Sequence, residues 1–161
     1  MQTLKQPITA TPLPQSPLIS LPSRGVEVHD SLGISRYMSS IRLYYSNETY
    51  GNTRFIDIAY YADNNINEVI GFYETQMPNY NWSLLSKSIV IKKLEIPRTS
   101  LEIKSYTLLN FRKTEHSNSQ ICSTHVKISI GVTILDAAKY TIVKISFIEN
   151  TYIELCLAFY T

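Results

Sequence analysis

The chain has 161 residues, enough for one domain with an appendage but short for two. Hydrophobic residues make up 44% and charged residues 17%, so a core can form while Ser, Thr, Asn and 12 tyrosines replace much of the usual surface charge. A net charge of +2 offers no basic footprint for nucleic acid, and there is no run of about 18 apolar residues to span a bilayer as a helix. Tyrosine combines a large apolar ring with a polar tip, which suits half-buried sheet faces and interfaces alike.

Residues 1–24 stand apart as an extended Pro-rich arm. Five of the seven prolines fall here: Pro7, Pro12, Pro14, Pro17 and Pro22. Proline lacks an amide donor and favours extended conformations, so this stretch is not expected to join the core as a regular element. Leu13, Leu18, Ile19 and Leu21 make it more apolar than a linker needs, which marks them as candidate partner-binding residues. Nothing near Met1 has the pattern of a secretory signal, and no cysteine stands nearby for lipid attachment.

Residues 25–161 read as one α+β domain. Val26, Val28, Leu32, Ile34 and Tyr37 are scattered anchors in the mixed stretch 24–40. Residues 41–45 (IRLYY) form a short strand, the Asn- and Gly-bearing 47–52 a turn, and 55–61 (FIDIAYY) a second strand. A helix follows over 66–76. Asn65 is a good N-cap, Glu68 three residues later completes a capping-box-like start, and Ile66, Val69, Ile70, Tyr73 and Met77 recur at helical spacing. Pro78 disfavours helical geometry at Met77 and ends the element.

Strand patterns resume at 82–96 and, after a break at 97–100, at 101–111. Residues 112–119 (RKTEHSNS) read as a polar hairpin loop. Residues 121–134 alternate most cleanly, with Val126, Ile128, Ile130, Val132 and Ile134 on one face. A turn at 136–139 leads to strands at 141–149 and 152–160. Short turns between successive strands predict a single, mainly antiparallel sheet, with the amphipathic helix packed on one face.

The stretch 60–84 resembles a module of small bacterial cell-envelope proteins, many of them lipoproteins. The residues that carry the likeness are Tyr60, Tyr61, Val69, Phe72, Tyr73, Met77, Pro78, Trp82 and Leu84, with LLNFRK at 108–113 and the closing strands around VKISIGVTI and YTIVKISF. Asn81 stands where that module has glycine before the tryptophan; Asn also tolerates left-handed backbone. The resemblance implies envelope association and a non-catalytic role in binding or assembly.

Little in the chain points to chemistry. His116, Cys122 and His125 are the only ligand-type residues close in sequence, three where zinc wants four and at an unfamiliar spacing, so no metal site is expected. His29, Asp30 and Ser31 are adjacent and point apart, which rules out a relay among them. Five glycines form no phosphate loop, so no catalytic residue and no cofactor is expected. Lys92, Lys93, Lys104, Arg112 and Lys113 could form a basic strip around Tyr106, but Glu95, Glu102 and Glu115 interleave with them. Cys122 and Cys156 could pair only if their strands are neighbours.

The expected function is that of a non-catalytic structural subunit of a bacterial envelope, periplasmic or secretion-type assembly. It would dock on protein partners through its arm and a sheet edge, and reach the membrane through those partners or an anchor outside this chain. The alternative is a cytoplasmic regulatory or single-stranded nucleic-acid-binding domain with a ferredoxin-like sheet; a small hydrolase with an atypical site is a third possibility.

Overall fold

In the computed structural model the described residues are 33–117 and 120–150. The arm, with Leu13, Leu18, Ile19 and Leu21, lies outside them, as do His29, Cys156 and the strand expected at 152–160.

The elements run β1 (Ile41–Tyr50), β2 (Thr53–Ala62), α1 (Ile66–Gln76), a 3-10 turn (Met77–Tyr80), β3 (Trp82–Val90), β4 (Leu94–Glu95), β5 (Glu102–Ile103), β6 (Tyr106–Ser117), β7 (Gln120–Leu135) and β8 (Ala138–Asn150). Six of these strands form one sheet in the order β1-β2-β8-β7-β6-β3, and every neighbouring pair is antiparallel. The α+β reading therefore holds, with the main sheet wholly antiparallel. Four antiparallel steps separate β2 from β3, so these two strands point the same way. The helix carries the chain between them across three strands laid down later.

Asn65 caps α1 as expected: its side-chain oxygen accepts from the Asn67 amide at 2.8 Å. The reciprocal half of a capping box is not made, because Glu68 Oε2 lies 3.4 Å from the Asn64 side-chain amide instead. Val69, Ile70, Tyr73 and Met77 are buried against the sheet, over Ile56, Ile58 and Tyr60 of β2, Leu109 and Phe111 of β6, Val126, Ile128 and Ile130 of β7, and Val143, Ile145 and Phe147 of β8. Each such side chain removed from water contributes about 1.5–3 kcal/mol. Asn81 takes φ +66 and ends the 3-10 turn in left-handed geometry, and Trp82 then enters the core at 2% exposure.

Residues 33–40 share this face of the sheet. Ile34 is buried in the same core, and the Tyr37 ring meets Phe72 of α1 edge-on at 5.0 Å. At the start of β1, Arg42 is buried over the rings of Tyr45 and Tyr60, with Arg36 on Tyr60 as well. Guanidinium groups stacked on aromatic faces close this corner of the core.

The opposite face carries a second, smaller core that the periodicity did not foretell. Strands β4 and β5 form a short hairpin that folds over it, setting Ile96 and Leu101 against Ala59, Tyr61 and Ile142. Gly131 is required beneath it. A Cβ there would lie 2.9 Å from two carbons of Ile103 and from the Ser105 carbonyl oxygen. Thr133 Oγ1 donates to the Glu102 carbonyl at 3.1 Å.

Several element limits differ from the sequence reading. The turn expected over 47–52 is only Gly51–Asn52; Tyr50 already pairs with Thr53, and Gly51 has φ +60 at the position a two-residue hairpin reserves for glycine. The run 82–96 is not one strand: β3 stops at Val90 and Leu94–Glu95 belongs to the covering hairpin. The run 101–111 likewise divides between β5 and β6. Residues 112–117 are strand rather than loop, because pairing with β7 satisfies their backbone. The alternation of β7 is correct in phase, yet Ile134 is 67% exposed while Gly131 and Thr133 on the other face are covered. Among the described residues the elements do not follow the β-α-β-β-α-β order of a ferredoxin-like sheet.

Candidate functional site

The site this geometry offers is an edge. β3 ends the sheet, and among the described residues nothing pairs with its outer side. Its sequence, WSLLSKSIV, carries a single charge, Lys87, and that ammonium is bound to Glu74 of α1 at 2.8 Å. Leu84 and Leu85 are exposed at a bulge, Ile89 is 78% exposed, and Ile91 just beyond is 90% exposed. Natural sheets usually blunt their edges with charge, proline or short strands. β3 has a bulge and one neutralised lysine along nine residues, so its outer amides and carbonyls are a template for another extended chain.

At the base of this edge the first residue of β3 is tied to residue 33. The Trp82 indole Nε1 donates to the Gly33 carbonyl at 3.1 Å, and Gly33 has φ +63. Lys113, the register partner of Trp82, places Nζ 5.7 Å from the tryptophan ring centroid.

In backbone register, Glu115 pairs with Cys122, His116 with Ile121 and Arg112 with His125; the side chains of His116 and Cys122 lie outside the described ones. Among the described residues no group of three or more His, Cys, Asp or Glu side chains is placed to hold a metal. Partial burial, with Arg112 and Lys127 nearby, lowers the pKa of His125 below its ordinary value. The basic strip does not assemble: Lys93 is bound to Glu95 at 3.0 Å and Glu102 at 2.9 Å, which raises its pKa, and Arg112 and Lys113 lie on opposite faces.

One polar cluster was not singled out from sequence. On the open part of the second face, Ser146 Oγ donates to Asp57 Oδ1 at 2.6 Å, and Lys144 Nζ is 3.9 Å from the same oxygen. The trio ties β2 to β8 across the sheet. Two depressions flank Val132, with volumes of about 430 and 520 Å³. Of their polar groups, Glu102 binds Lys93, and Thr141 Oγ1 donates to the Asn64 carbonyl at 2.7 Å.

Comparisons with protein-family models, with curated proteins and with solved structures return no match to this chain. Among the described residues no helix is long and apolar enough to cross a membrane.

Proposed function

We propose that this protein is a non-catalytic binding or structural subunit of a multi-subunit assembly, of the bacterial envelope or secretion type, that docks on protein partners through its N-terminal arm and a sheet edge. The observation that carries the reading is β3: a nine-residue edge strand with one neutralised charge and four exposed apolar residues at or just beyond it. Strand addition to such an edge takes affinity from main-chain hydrogen bonds and specificity from alternate side chains. Of the residues that carry the resemblance to envelope modules, Tyr60, Tyr61, Val69, Tyr73, Met77 and Trp82 are core, whereas Leu84 is exposed on the edge. That leaves the edge and the arm leucines to meet a partner.

Charging the edge tests this. Leu85→Lys with Ile89→Glu should leave the fold intact, since both side chains are exposed, and should release the protein from its native complex, read as apparent mass in gentle lysates. A complex of unchanged mass with a correctly folded double variant would refute docking at β3.

A further inference from the structure

We propose that the partner strand at the outer edge of β3 is β3 of a second copy of this chain, paired antiparallel about a two-fold axis at Lys87. The inference rests on reading β3 as a docking edge and names the partner that takes it. Three observations carry it.

The first is a symmetry within the strand. Residues 84–90 read Leu-Leu-Ser-Lys-Ser-Ile-Val, the same order of apolar, hydroxyl and charged residues in both directions from Lys87. A two-fold contact requires a surface that matches itself. With Lys87 opposite its own copy, Ser86 meets Ser88, Leu85 meets Ile89 and Leu84 meets Val90, each pair occurring twice. Moving the axis to Ser86 or Ser88, the nearest positions that keep every residue on its own face, sets Lys87 against Leu85 or Ile89 instead. The strand at the opposite end of the sheet, β1, reads IRLYYSNETY and has no such symmetry.

The second observation is charge. Lysines directly opposite each other across two strands repel. Lys87, however, pairs in register with Leu109 on the helix side of the sheet, where Glu74 of α1 holds its ammonium at 2.8 Å. An axis normal to the sheet keeps both helices on one face, so each lysine reaches the axis with its own carboxylate. Two neutral pairs meet there.

The third is exposure. Leu85 and Ile89 are 48% and 78% exposed and keep the two-residue phase of Lys87. Pairing covers both in apolar cross-strand contacts. It joins two six-stranded sheets into one, with a β1 at each outer end, and leaves the arm of each copy for other components.

Sedimentation equilibrium of the purified full chain at low ionic strength, where charges are least screened, tests the pairing. The wild type should show a monomer–dimer equilibrium. Leu85→Lys with Ile89→Glu removes the apolar pairs but sets opposite charges across the axis. Exposed ion pairs recover little, so the dissociation constant should rise about tenfold. Leu85→Lys with Ile89→Lys sets like charges there and should raise it about a further tenfold. Circular dichroism melts of both variants should match the wild type, since the substituted side chains are exposed.

A wild type that stays monomeric overturns the proposal, as does a dimer indifferent to both variants. Equal dissociation constants for the two variants overturn it too, because only this register tells their charges apart. Failure here is separable from failure of the functional reading. A monomeric wild type, with the native complex still lost on charging β3, removes only the second copy as partner. A dimer that weakens in the stated order, beside a native complex of unchanged mass, removes only edge docking in that complex.

Discussion

Single positions show how closely the backbone and the core constrain this chain. Val69 is fully buried between α1 and the sheet, so Val69→Asp would place a carboxylate where no water reaches, at a cost of about 3–5 kcal/mol. Circular dichroism should show cooperative melting lost or shifted far down; an unchanged melt would mean that α1 does not pack by this face. The β7–β8 turn offers the opposite sign. Leu135 pairs with Ala138, so Asp136 and Ala137 alone make the turn, with φ of +49 and +64. Left-handed backbone strains an alanine by roughly 1–2 kcal/mol, and glycine recovers part of that against its own entropy. Ala137→Gly should therefore stabilise the protein by about 0.5–1 kcal/mol and raise the melting temperature by a few degrees. A lower melting temperature would show that the turn is not left-handed at this position.

At the scale of elements, local signals were legible and long-range ones were not. The helix was readable because its N-cap, its apolar spacing and Pro78 all act within a few residues. The alternation of β7 was readable for the same reason. Where β3 stops was hidden, since Ile89 and Ile91 keep the same two-residue phase whether or not the backbone is paired. The strand at 112–117 was hidden because a run of polar residues looks like a loop until β7 is placed beside it. The second core depended on strand order, which sets Ala59, Tyr61 and Ile142 side by side. That core has its own test. Replacing residues 91–105 by Asn-Gly should preserve the β3–β6 pair, which resumes at Val90 and Tyr106. It would strip Ile96, Leu101 and Ile103 from the second face. Fluorescence of Trp82, the single tryptophan, should be unchanged because it reports the helix-side core, while the melting temperature falls and a hydrophobic dye binds. An unchanged melting temperature without dye binding would show that the hairpin is no cover.

For the whole molecule, the question is how a domain with two cores would use an arm. The candidate contacts Leu13, Leu18, Ile19 and Leu21 were legible only as composition, too apolar for a linker; that β3 ends the sheet among the described residues could not be read, because it follows from the strand order. A proline-rich segment is extended before it docks and so loses less entropy in docking. It also lacks the donors to join a sheet at every residue, so the part most suited to a partner is 1–22, ahead of the stretch without proline. Deleting residues 1–22 should leave the melting temperature of the isolated domain within a few degrees and lower the fraction of protein found in its native complex. A large fall in melting temperature would show that the prolines pack on this domain itself. Complex formation at wild-type level would remove the arm from docking and leave the β3 edge as the sole contact to pursue.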